Sequence, residues 1–107
     1  MIIVKNKIIP FKGFSAIYLF GLLFTKKDLS RAEINHELIH ERQAREMLFV
    51  FFYLWYLIEW LIRLTKKGNA YHNISFEREA YINQNNLLYL SRRKMFNFIK
   101  YIKGKLF

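Results

Sequence analysis

The sequence predicts a small α+β domain that is mostly helical, with a short N-terminal β-hairpin followed by three to four helices. Three observations carry this. Residues 2–25 are dense in β-branched and aromatic side chains and are broken by Pro10, Gly13 and Ser15, which is hairpin chemistry. Ser30 and Glu33 form a capping box, the signature of a helix start. From there no Gly or Pro occurs until Gly68. At 107 residues the chain builds one core and one domain.

The hairpin is expected within residues 1–27, with strands over 2–9 and 16–25. The same stretch has the outline of a secretion signal, with Lys5, Lys7 and Lys12 ahead of an apolar run over 13–24. Thr25, Lys26, Lys27 and Asp28 follow that run in place of a small-residue cleavage site, so no clear cleavable signal is read. The expected location is cytoplasmic or peripheral to a membrane.

Residues 30–66 exceed ordinary helix length, so a break is expected between Glu46 and Val50, where the charged pattern gives way to an apolar one. The second half, 47–64, is Phe, Leu, Tyr and Trp on every side and is interrupted only by Glu59 and Arg63. It reads as a central core helix, with membrane contact or a homo-oligomer face as the alternatives. Lys66, Lys67, Gly68 and Asn69 close it. A third helix, capped by Asn73 or Ser75, is expected over 74–90, and a basic, aromatic-bearing C-terminal helix over 92–106.

Composition narrows the chemistry. Without cysteine, disulfide scaffolds, thiolate nucleophiles and cysteine-based metal sites are excluded. Hydrophobic residues make up 53% of the chain and aromatics 19%, enough apolar surface to fold. Lys and Arg outnumber Asp and Glu by 18 to 8, a net charge of +10 that favours anionic partners. Among these an anionic membrane surface is preferred to nucleic acid, because no nucleic-acid module is visible.

The chemistry-bearing residues are His36, Glu37, Leu38, Ile39 and His40, within the helix that Ser30 starts. Positions i and i+4 lie about 40° apart around a helix, so His36 and His40 project together and reach one Zn2+. Zinc lowers the pKa of a bound water, and Glu37 beside it serves as general base for attack on a carbonyl. A third ligand is required, and a His2Glu site takes it from a carboxylate on another helix. Glu77 and Glu79 are the candidates, and at about 200° apart only one of them can face the metal. Tyr71 and His72 are weaker candidates for donors to a developing oxyanion. Gln43, one turn beyond His40, is either a partner of the site or a surface residue, and Glu41 with Arg45 reads as an i,i+4 surface pair.

In this arrangement the chain resembles zinc metallopeptidases of the gluzincin type, and within them the prenyl-protein peptidases and the β-lactam-sensor peptidases. There an H-E-L-x-H helix is followed by hydrophobic helix and then by a segment similar to Glu77-Arg78-Glu79-Ala80. The resemblance covers roughly residues 30–85. It implies a minimal zincin-like fold, His36, His40 and Glu77 as zinc ligands, Glu37 as general base, and a peptide or protein substrate bound along an edge strand ahead of the motif helix. Those families often carry Asp four residues after the ligand Glu, as the partner that orients a ligating His; here Tyr81 stands in that place. The competing expectation is a noncatalytic, degenerate relative that binds a membrane surface or a protein partner.

Overall fold

The computed structural model describes residues 1–7 and 16–102. It is an α+β domain in the order β1 (Ile2–Lys5), β2 (Ala16–Leu19), β3 (Leu22–Thr25), α1 (Arg31–Glu46), α2 (Val50–Leu64), α3 (Ser75–Asn83) and α4 (Tyr89–Arg92), with a terminal 3-10 helix at Asn97–Tyr101. The bend expected at Pro10, Gly13 and Ser15 lies outside the described residues.

The N-terminal sheet corrects the expected hairpin. Residues 16–25 are not one strand but two, joined by a turn at Phe20 and Gly21, whose φ values of 48° and 89° are both left-handed. Two consecutive positive φ angles make the turn whose twist suits paired antiparallel strands. Phe20 is not a residue that announces it. β1 pairs with β3 in parallel, so among the described residues the strand order is β1-β3-β2 and β2 lies at an edge.

α1 begins as expected. Ser30 Oγ accepts from the Glu33 N–H and the Glu33 carboxylate accepts from the Ser30 N–H, each at 3.1 Å. It ends in a Schellman motif: the Leu48 N–H donates to the Arg45 carbonyl and the Phe49 N–H to the Ala44 carbonyl, with Leu48 at φ 54°. The chain bends there by 111° between α1 and α2.

α2 corrects the core-helix expectation. Only one side of it packs inward, and Phe52, Glu59 and Arg63 are its buried residues. Most of its Leu and Ile side chains face outward. Phe52 joins Tyr18, Leu23, Ala44, Ile74, Phe76 and Phe98 in the hydrophobic core.

α3 is shorter than the expected 74–90. Neither Asn73 nor Ser75 caps it with a side chain; Ile74 is the N-cap, and the carboxylate of Glu59 does the work from α2. Glu59 accepts from the Ser75 N–H at 2.6 Å, from Ser75 Oγ–H at 2.7 Å and from Trp55 Nε1–H at 3.0 Å. At the other end Asn35 Nδ2 donates to the carbonyls of Asn83, Gln84 and Asn86, satisfying groups that end the helix. A side chain of α1 thus defines where α3 stops.

Up to residue 102 the continuous basic helix expected over 92–106 is also replaced; its last residues, 103–106, lie outside the described residues. Arg93 leaves α4 in an extended conformation and its guanidinium is fully buried between Glu46 and Glu79. Burying that cation turns the backbone away from a helical path before the 3-10 helix begins.

Candidate metal centre

His36 and His40 leave α1 on one face, and Glu77 meets them from the first turn of α3. His40 Nε2 lies 3.1 Å from His36 Nε2 and 3.0 Å from Glu77 Oε1, and His36 Nε2 lies 3.2 Å from that same oxygen. All three residues are buried, and among the described residues they are the one cluster of His, Asp and Glu able to share a metal ion. A tetrahedral ion with arms of about 2.0 Å separates its ligand atoms by about 3.3 Å, so the triangle has the right size for zinc.

The surrounding hydrogen bonds decide what the ring nitrogens present. Gln43 Nε2 donates to the Phe76 carbonyl at 3.1 Å and to Glu79 Oε1 at 2.8 Å. Its amide oxygen therefore faces His40, 2.8 Å from Nδ1. An oxygen there requires a proton on Nδ1, which leaves the Nε2 lone pair of neutral His40 pointing at Glu77. His36 Nδ1 is placed the same way, 2.8 Å from Gln84 Oε1. The second Glu77 oxygen accepts from Tyr56 O–H at 2.7 Å. Three electron-pair donors thus converge, each held from behind by a hydrogen bond, which is how ligating side chains are oriented.

Electrostatics follow this geometry. Burial opposes charge on His40, but the adjacent Glu77 carboxylate outweighs it and pushes the pKa up to about 9. Burial likewise works against the Glu77 anion, while the charge on protonated His40 and the close approach of both imidazoles bring its pKa well below the usual carboxylate range. Burial raises the pKa of Glu37, against the opposing pull of His40 and His36. A carboxylate raised in this way is the better proton acceptor.

Glu79 points away from the cluster and carries a different function. Its carboxylate accepts from Gln43, Tyr89 and Asn97 and is paired with Arg93 at 2.6 Å, which in turn reaches Glu46 at 2.7 Å. Against the cost of burial, the bonds from Arg93, Tyr89 and Gln43 hold its pKa down. The line Glu46, Arg93, Glu79, Gln43 ends on His40.

Two cavities of about 560 and 440 Å3 flank the cluster, and both are lined by Ala16, Glu37 and Tyr71. The larger one is bordered by the polar residues Glu33, His36, His72 and Gln84. The smaller one runs along edge strand β2 and is walled by Phe52, Tyr53, Tyr56 and Trp60. Tyr71 stands where they meet, and burial, then the Glu77 charge, raises its hydroxyl pKa and keeps it a proton donor. His72 is exposed at the rim. Tyr81 sets its ring edge-on to His36, with centroids 4.4 Å apart, and Gln84 supplies the hydrogen bond to that imidazole.

Tyr56, Gln84, Asn35 and Arg93 were not visible as site residues. Tyr56 had a signal, since a Tyr within an apolar run needs a partner for its hydroxyl. Gln84 had one too, lying two turns beyond Glu77. In comparisons with known proteins, no family model, curated protein or solved structure matches this chain.

Proposed function

We propose that the chain is a zinc-dependent peptidase, with His36, His40 and Glu77 as the metal ligands and Glu37 as the general base. The observation that carries the reading is the convergence of the Nε2 atoms of His36 and His40 and one Glu77 carboxylate oxygen within 3.0–3.2 Å of one another, each side chain held on its far side by a hydrogen bond. When bound, zinc supplies a Lewis acid that polarises a carbonyl and acidifies water.

The chain's own residues supply the rest. Glu37 borders both cavities and takes no hydrogen bond from the described residues, so its carboxylate is free to accept a proton from the attacking water. It then returns that proton to the leaving amine, which is expelled as the C–N bond breaks. The Tyr71 hydroxyl, which lines both cavities, would donate to the developing oxyanion. β2 offers a sheet edge along the smaller cavity. Tyr18 O already points off that edge, accepting from Tyr53 O–H at 3.2 Å, and by the alternation of antiparallel strands Ala16 presents its backbone on the same side. An extended peptide can pair there and lay an apolar side chain among Phe52, Tyr53 and Trp60.

The test is metal content by mass spectrometry of untagged wild-type, His40→Ala and Glu37→Gln proteins, followed by hydrolysis of a peptide library. About one zinc per chain is expected in wild type and Glu37→Gln and little in His40→Ala, with Glu37→Gln slowed by about 10²–10⁴-fold. Absence of zinc from all three, even after reconstitution, overturns the reading.

A further inference from the structure

α2 is inverted relative to an ordinary surface helix. Its two charged side chains, Glu59 and Arg63, are 1% and 5% exposed, whereas Leu54, Leu61 and Leu64 are 51%, 51% and 54% exposed. With Val50, Leu57 and Ile58 these form one continuous outward stripe at i, i+4, i+7, i+8, i+11 and i+14 spacing. A helix that turns its charges in and its aliphatic side chains out is arranged for a nonpolar medium.

Three of the four non-Gly residues with positive φ among the described residues point the same way; the fourth, Phe49 at 59°, is half-buried against the core. Phe20, Leu48 and Phe96 lie at 48°, 54° and 58°, where Gly or Asn is the low-cost residue. Each is a large apolar side chain, exposed by 62%, 71% and 41%. Phe20 packs against Phe49 at 6.3 Å and Tyr53 at 4.7 Å, so the β2–β3 turn adjoins the N-terminal end of α2. Trp55 packs on Phe98 at 5.5 Å, so the 3-10 helix, with exposed Ile99 in it and exposed Met95 just ahead of it, adjoins its flank.

Cations border this surface. Lys66 and Lys67 follow α2, and Arg92, Lys94 and Lys100 surround the C-terminal apolar residues, all exposed. We infer that the α2 face, together with Phe20, Leu48 and Phe96, seats the protein on the surface of an anionic lipid bilayer, with the cations at the headgroups. Charge selects this occupant over a second copy of the chain, since two molecules of net charge +10 repel when apposed, whereas anionic lipid attracts both. No single described helix is long and apolar enough to cross a membrane; a helix with one exposed apolar face and cations beyond its end lies in the interface plane. The cavity bounded by Tyr53 and Trp60 would then open beside the headgroups.

The experiment is co-sedimentation of the whole chain with vesicles of phosphatidylcholine alone or mixed equally with phosphatidylglycerol. Binding should favour the mixed vesicles by about tenfold or more, and weaken from about 0.1 M to about 1 M NaCl as the Debye length falls from about 10 Å to about 3 Å. The double variant Leu54→Glu/Leu61→Glu, checked by thermal melting, should lose at least about tenfold in affinity. Brominated lipid should quench Trp60 in the wild type, a readout that holds even if the double variant fails to fold. Equal binding to both vesicle types, undiminished binding by a folded double variant, or no quenching overturns the inference. So does a wild-type dimer in sedimentation equilibrium that the double variant abolishes, in a protein that ignores vesicles.

Discussion

The side-chain oxygen of Gln43 lies 2.8 Å from His40 Nδ1, and the Gln43 amide nitrogen is already committed to Phe76 and Glu79. That pairing fixes both the tautomer and the ring orientation of His40. Gln43→Leu removes it and leaves buried Glu79 short of a donor. Metal affinity should drop by about 10–100-fold in a competition titration with a chromophoric chelator. Stability of the metal-free protein should fall by about 1–3 kcal/mol. Unchanged affinity would mean that His40 is oriented by packing alone.

The metal-free cluster binds a proton where metal would bind. His40 titrates near 6.5 in an unfolded chain and about 9 in the fold. A raised histidine pKa stabilises the fold fully below 6.5, and the contribution is lost as pH rises through about 9. Glu77 shifts the opposite way, so its contribution is complete above about 4.5 and is lost as pH falls towards its lowered value. Urea midpoints of metal-free protein should therefore decline from pH 6.5 to 9. Zinc must displace the His40 proton, so its binding should tighten over that range and release about one proton at pH 7 by calorimetry in buffers of different ionisation enthalpy.

Glu59 should be a stability hot spot although it touches no metal ligand. Its carboxylate takes three hydrogen bonds, from the Ser75 N–H, the Ser75 hydroxyl and the Trp55 indole, and it is 1% exposed. Glu59→Ala strands these buried donors and frees the first turn of α3, which carries Glu77. The expected loss is about 3 kcal/mol or more in urea unfolding, with zinc binding weakened in parallel. Glu59→Gln keeps an acceptor for the Ser75 N–H but turns an NH2 towards other donors, so it should fall between the two.

These two sites show what was legible in the sequence and what was not. Ser30 and Glu33 are three residues apart and cap each other, so the start of α1 could be read from a local pattern. The i,i+4 spacing of His36 and His40 is local as well. Choosing between Glu77 and Glu79 needed the rotation of α3 against α1, which Asn35 and Gln43 set across more than thirty residues of chain. The cap on α3 comes from Glu59 on another helix, so neither Asn73 nor Ser75 disclosed it. The turn at Leu48 was hidden for a different reason: its left-handed backbone carries an apolar side chain where turn chemistry calls for Gly or Asn, and in the β2–β3 turn Phe20 obscures the signal that Gly21 carries. The strand boundary inside residues 16–25 was lost with Phe20.

Arg93 links Glu79 to Glu46 with its side chain fully buried. Arg93→Met leaves two carboxylates in a dry site without their cation, at an expected cost of about 3–5 kcal/mol. Arg93→Lys keeps the charge but cannot reproduce the forked contact to Glu79, and should recover only part of the loss. If Arg93→Lys matched wild type in thermal melting, the forked geometry would be irrelevant and only the charge would matter.

Leu48 tests whether apolar exposure is retained at the expense of stability. It occupies the left-handed residue of the Schellman motif that ends α1, with φ 54°, and its side chain is 71% exposed. A left-handed L-residue costs about 1–2 kcal/mol, whereas Gly there costs mainly about 0.5–1 kcal/mol of extra chain entropy. Leu48→Gly should therefore raise the unfolding free energy by up to about 1 kcal/mol, read as a higher urea midpoint with an unchanged m value. Because the side chain stands at the corner of the proposed membrane face, the same substitution should weaken binding to mixed phosphatidylglycerol vesicles. The two effects have opposite signs and are measured independently. A Gly variant that is both more stable and equally bound to vesicles would show that Leu48 takes no part in the lipid contact, whereas a less stable one would show that the Leu side chain contributes packing that offsets its backbone strain.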